Sequence, residues 1–198
     1  MPKLTLADIS DLRAYERERE EFRRSVIALK KRRRVALGDL LTLLFENSRT
    51  IRFQIQEMAR IEKIMTDEGI EAELRVYNPL IPEPNQLCAT LFLELTTNEM
   101  LREWLPKLVG IERSIELRLP DGETVAAVVD EEHEKRLTRE ETTASVHYVR
   151  WELTPDQVER FTSGGPVGVV CTHPEYPCET VLRDETVAEL STDLRYGG

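Results

Sequence analysis

No stretch of this 198-residue chain approaches the roughly 18 consecutive apolar side chains needed to cross a bilayer. The longest apolar run is broken by Gly38, Asp39 and Thr42, and the N-terminus carries no apolar signal core, so a cytoplasmic protein without membrane contact is expected. Cysteine is scarce: Cys88, Cys171 and Cys178 make an odd count of three in a chain large enough to fold without staples. That argues against a disulfide framework and for reduced thiols. Aromatics supply 6% of the residues and hydrophobic side chains 40%, enough for a core and unlike a fibre or a disordered tail. No repeat of fixed period, P-loop or Gly-x-Ser-x-Gly elbow is present, and no spacing ties Ser, His and an acid into a triad. Gly164, Gly165 and Gly168 follow a predicted helix and precede a predicted strand, the reverse of the order in a phosphate-binding glycine loop.

Basic charge is in the minority, 27 Lys and Arg against 37 Asp and Glu for a net −10, which argues against a surface that binds nucleic acid all over. Its distribution is uneven. Residues 1–36 carry 11 basic and 6 acidic side chains, residues 37–65 balance at 4 and 4, and from residue 66 onward 12 basic residues stand against 27 acidic ones. The positive end peaks at Lys30, Lys31, Arg32, Arg33 and Arg34. Such a cluster can hold phosphate, RNA or an acidic partner through charge-assisted contacts, with Arg52 and Arg60 as further candidates. Equally, it can complement the negative end of a helix dipole and pair with the acidic remainder of the same chain.

Periodicity predicts a short opening helix over Leu4–Leu12, boxed by Thr5 and Asp8, then a long helix from Tyr15 to Arg34 with Tyr15, Phe22, Val26 and Leu29 on one face. Val35 to Phe45 alternates around Gly38-Asp39 as two short strands or one bulged strand. Ile51, Ile55, Met58, Ile61 and Met65 mark a second amphipathic helix capped by Ser48 or Thr50, with a further helix ending before Tyr77. A proline-rich loop over 78–85 leads into a strand from Leu87 to Leu95, and Asn98 to Val109 returns to helix. Ile115–Leu119 and Thr124–Val129 flank the turn Pro120-Asp121-Gly122, and the charged stretch Asp130–Glu141 reads as exposed. A strand over 146–153, a helix opened by Thr154-Pro155, a strand over Val167–Cys171 and a last helix from Cys178 to Leu194 complete the pattern. The irregular alternation points to one α+β domain over 1–198, with a mixed or largely antiparallel sheet packed with several amphipathic helices. Residues 1–36 would form a basic helical N-terminal segment and 37–198 the acidic, sheet-containing remainder.

The second amphipathic helix carries the best candidate pocket. Spaced at about 100° per residue, Gln54 and Glu62 fall within its apolar arc, Glu57 lies at the margin, and Arg52, Gln56, Arg60 and Lys63 fall opposite. A carboxylate in that arc must be paired, protonated or metal-bound, which makes Glu62 the leading functional residue. Pairing with a nearby arginine is its structural alternative. The other constellation is Cys171-Thr172-His173-Pro174-Glu175-Tyr176-Pro177-Cys178, two thiols and an imidazole in eight residues. Its spacing matches no zinc module, so a proline-rich connection with structural hydrogen bonds is the simpler reading. Glu62, Cys171, His173 and Cys178 are the metal-ligand candidates. No cofactor is required, and iron, manganese and zinc are the ions such ligands would take. Cys178 at a helix N-terminus would have a depressed pKa.

Lys30 to Asp39 (KKRRRVALGD), Leu43 to Asn47 (LLFEN) and Arg52 to Glu62 (RFQIQEMARIE) resemble the bacterial family catalogued as domain of unknown function 3501. Tyr77 to Pro82 (YNPLIP), the segment from Leu87 through Ala89, Thr90 and Leu91 to Glu94, and His173-Pro174-x-Tyr176 continue the resemblance over nearly the whole chain. It implies no reaction, but a context beside rubrerythrin-like proteins and iron–sulfur oxidoreductases. The leading expectation is therefore a non-catalytic accessory or partner protein of an iron-dependent peroxide or redox system. The rivals are a metal-binding protein or enzyme with a pocket around Glu62, and an RNA- or phosphate-binding protein using Lys30 to Arg34. The long amphipathic helices can also pack against a second copy.

Overall fold

The computed structural model describes residues 3–129 and 142–198, so the expected exposed stretch Asp130–Glu141 lies outside the described residues. The architecture is α+β. Among the described residues there are six α-helices: α1 Leu12–Arg33, α2 Ser48–Glu62, α3 Asp67–Tyr77, α4 Asn98–Lys107, α5 Pro155–Thr162 and α6 Asp184–Tyr196. Eight strands among the described residues form two antiparallel sheets. The first runs in the order β1 (Arg34–Leu37), β2 (Leu41–Phe45), β3 (Gln86–Leu93), β6 (Val146–Glu152). The second runs β5 (Thr124–Ala126), β4 (Ile115–Arg118), β7 (Gly168–Cys171), β8 (Cys178–Val181). No helix among the described residues is long and apolar enough to cross a membrane.

Both sheets contribute inward side chains to one apolar cluster, including Leu37, Leu43, Phe45, Leu91, Trp151, Leu117 and Val169. Phe45 and Trp151 lie with ring centroids 5.6 Å apart at its centre. An isolated bridge from Val128 to Arg150 ties the chain after β5 to the β6 edge, so the sheets are joined there as well as by packing. The outer face of the first sheet is also covered. Burial of six of the eight β3 residues follows, where a half-buried strand would alternate.

Local signals made most of these elements. The Thr5–Asp8 capping box holds a 3₁₀ turn at Leu6–Asp8. Gly38 adopts φ 64° at the β1–β2 turn, a left-handed conformation that glycine takes at little cost. Several boundaries differ from expectation: the opening helix is only that 3₁₀ turn, α1 begins at Leu12 and α2 ends at Glu62. Asn47 caps α2, its side chain accepting from the backbone N–H of Arg49 and Thr50. Cys178–Val181 begins no helix: it pairs with β7, Cys171 opposite Cys178, and the last helix starts only at Asp184. Pairing with an otherwise open sheet edge overrides the local helical pattern there.

Candidate functional site

α2 buries two faces. Ile51, Ile55 and Ala59 point into the core, but so do Thr50 and Gln56, while Ile61 and Met65 are 64% and 79% exposed. The reason is the N-terminal segment, which lies across the side expected to meet water. Gln56 is fully buried because its amide matches the backbone of Ser10, accepting from Ser10 N–H at 2.8 Å and donating to Ser10 O at 3.1 Å. Glu62 is exposed, so the burial that singled it out is absent. Lys63 ends the helix in a left-handed turn, so Met65 never joins the face that defined the apolar arc.

The expected trio Gln54, Glu57 and Glu62 does not converge. Glu57 accepts hydrogen bonds from Tyr15 Oη (2.7 Å) and from Arg19 (2.8 and 3.0 Å), with Arg60 at 3.3 Å. Arg19 above all holds its carboxyl down at about 2. Arg52 likewise works internally, donating to Asp8 O at 2.7 Å and lying over the Phe22 ring.

The basic cluster closes on its own chain. Arg33 is fully buried, donates to the carbonyls of Phe45 and Glu46, and pairs with Asp193 on α6. Arg32 reaches Glu189 at 2.5 Å and Arg34 reaches Glu94 at 3.5 Å, while Lys30 sits over Phe53. The acidic half of the chain thus supplies partners for Arg32, Arg33 and Arg34.

Cys171 and Cys178 face each other on the second sheet, away from α2. His173 is buried with both ring nitrogens engaged, Nε2 with Val109 O at 3.1 Å and Nδ1 with the Glu175 N–H at 3.3 Å. Glu62, Cys171, His173 and Cys178 therefore do not assemble, and among the described residues no group of three or more His, Cys, Asp or Glu is placed to hold a metal ion. Cys178 heads a strand, and burial pushes its thiol up to about 11, opposite to the depression expected at a helix N-terminus. Tyr176, from the same connection, clamps the β1–β2 turn: its phenol oxygen accepts from the N–H groups of Asp39 (2.6 Å) and Leu40 (2.9 Å).

The structure does bring together a site that the sequence did not reveal. Glu46 follows β2 directly and is 6% exposed. Thr90 of β3 donates to its Oε1 at 2.7 Å and Thr50 of α2 to its Oε2 at 2.5 Å. Among the described residues it forms no ion pair. Its backbone is fixed by Arg33, so the carboxylate is held by neutral hydroxyls on a rigid frame. It faces a cavity of about 240 Å³ between the outer face of the first sheet and the helices α2 and α3. Gln54, Tyr77, Tyr148 and Lys30 add polar groups to that cavity, and Leu44, Ile51 and Phe92 apolar wall. Burial pushes the phenols of Tyr77 and Tyr148 up, which keeps them neutral hydrogen-bond donors. Of the predicted residues, Gln54 and Lys30 belong here. Glu46 and Thr90 were within the family-like runs but had no spacing to link them. One signal was available: a carboxylate placed directly after the five apolar or small residues of a wholly buried strand.

A wider cleft of about 440 Å³ lies between the N-terminal segment and the α2–α3 junction. Two of its polar groups, Asp11 and Thr66, already cap α1 and α3, so the smaller cavity has the stronger case as a binding site.

Two comparisons bear on this chain. A family model described as a protein of unknown function (DUF3501) matches residues 3–194. A crystal structure of a novel protein of unknown function from Burkholderia pseudomallei K96243 is similar at 40% identity and a TM-score of 0.90, covering 98% of this chain and 100% of that one. No curated protein matches the chain.

Proposed function

Because the chain belongs to the DUF3501 family of proteins of unknown function, membership assigns it no reaction, and we propose from its geometry that it binds a small organic amine in the Glu46 cavity. The observation that carries this reading is the buried Glu46 carboxylate, braced by two threonine hydroxyls and facing a cavity with no cation paired to it among the described residues. The two neutral hydroxyls leave this buried carboxylate without a counter-ion, which an ammonium group supplies. The rings of Tyr77, Tyr148 and Phe92 suit the same ligand, since aromatic faces attract cations. About 240 Å³ corresponds to roughly eight waters at ~30 Å³ each, which fits a small amine and excludes a nucleotide. Both oxygens of Glu46 are already occupied by threonine hydroxyls, which favours binding over turnover. The accessory role beside rubrerythrin-like and iron–sulfur proteins is a proposal from resemblance, for which no described residue argues.

Calorimetric titration of the intact protein with primary and quaternary amines, against carboxylates of equal size, tests the reading. Saturable binding of at least one amine, weakened roughly tenfold to a hundredfold in Glu46→Gln, is expected from the loss of one charge-assisted hydrogen bond of about 1.5–3 kcal/mol. Lys63→Ala, outside the cavity, should leave it intact. Amine affinity unchanged in a folded Glu46→Gln protein, or carboxylates binding better than amines, would overturn it.

A further inference from the structure

We propose that Cys171 and Cys178 form an oxidisable thiol pair, which a small disulfide closes into a cross-strand disulfide at the base of the β7–β8 hairpin. Both cysteines are free and directly opposed in the strand register, and each thiol is near enough to shift the other's titration. Register also sets their spacing. Leu182 N–H donates to Val167 O at 2.8 Å, and pair types alternate along an antiparallel ladder, so Cys171 and Cys178, two pairs of that type further on, are hydrogen-bonded neighbours. Such neighbours have Cα atoms about 5.5 Å apart, the commonest separation across a disulfide. Cβ atoms stand wider apart at such a pair than a disulfide spans, so closure draws the two strands together locally at the end of the ladder.

The connection between the cysteines is already ordered. His173 is fastened to Val109 O, and Tyr176 to the turn at Asp39 and Leu40. The two thiols differ in access, Cys171 being 1% exposed and Cys178 half-buried, so an oxidant meets Cys178 first. With a glutathione-type disulfide, Cys178 loses its proton and its sulfur attacks one sulfur of the oxidant, breaking that S–S bond and releasing one thiol. Cys171 then loses its proton and attacks Cys178 Sγ, forming the Cys171–Cys178 bond and expelling the second thiol. Two protein thiols are oxidised and one small disulfide is reduced to two thiols. Burial raises both protein thiols above their ordinary range, Cys178 to about 11, so the exchange is slow at neutral pH and the pair rests reduced.

The test is incubation of the folded full chain with oxidised glutathione, quenched in acid and followed by intact mass and peptide mapping. Expected are a mass loss of two hydrogens, one peptide cross-link between Cys171 and Cys178, reversal by a dithiol reductant, and an untouched Cys88, which is 2% exposed. In Cys171→Ser the reaction should stop at a stable mixed disulfide on Cys178. A wild-type protein that keeps the mixed disulfide, cross-links only between chains, or keeps all three thiols until it unfolds overturns the proposal.

Discussion

Gly38→Ala strikes the Tyr176 clamp from the side of the turn, and its cost can be worked from two contacts. At φ 64° a side chain costs about 1 kcal/mol in backbone strain. A Cβ at this position would lie 2.3 Å from the Tyr176 phenol oxygen, so the phenol must withdraw and release the N–H groups of Asp39 and Leu40. Two neutral hydrogen bonds at about 1 kcal/mol each bring the total to about 3 kcal/mol. Tyr176→Phe loses the same two bonds and should cost about 2 kcal/mol. In the double variant the offending oxygen is gone and the ring, with Cζ and Cε1 at 3.0 and 3.1 Å from that Cβ, has only a few tenths of an ångström to give, so the alanine adds little beyond its strain. The pair should therefore cost about 3 kcal/mol, against about 5 if the effects were independent, a coupling of about 2 kcal/mol. Urea unfolding of the four proteins, with the slope unchanged across the set, measures it. Additive costs would refute the clamp as the reason for Gly38.

Two further outcomes follow from the α2 geometry. The Glu57 carboxyl, held at about 2 by Arg19, Tyr15 and Arg60, binds its proton less readily folded than unfolded. Its stabilisation is thus complete above the ordinary carboxylate range and is lost as pH falls from about 5 towards 2, about 2 kcal/mol after allowing for the partly exposed arginine. Acid titration of unfolding should show that fall in the wild type and a flatter limb in Glu57→Gln; parallel limbs would contradict it. Glu62→Gln, at an exposed position, should change stability by less than about 0.5 kcal/mol and leave amine titration unaltered. A loss of either would return Glu62 to the site.

What the sequence determined by itself is local. The Thr5–Asp8 box, the Gly38-Asp39 turn, the Pro120-Asp121-Gly122 hairpin and the Thr154-Pro155 helix start are written in residues a few positions apart, because each rests on a dihedral preference or a side chain bonding to its own backbone. The family-like runs were legible too, although several of their residues serve the scaffold: Tyr176 the turn, Asn78 the backbone of Leu4, Arg52 that of Asp8.

Tertiary structure decided the rest. Whether Gln56 or Glu62 is buried depends on the N-terminal segment crossing α2, which a helical wheel does not contain. A buried amide needs only matched backbone groups, whereas a carboxylate needs a donor or counter-charge. Whether Cys178 heads a helix or a strand depended on the open edge of β7. Glu46 and Thr90 lie 44 residues apart and meet only because β2 and β3 pair in one register, with α2 laid over their outer face. Hydrogen bonds act over about 3 Å in space and are indifferent to distance along the chain, so the cavity around Glu46 was fixed by packing.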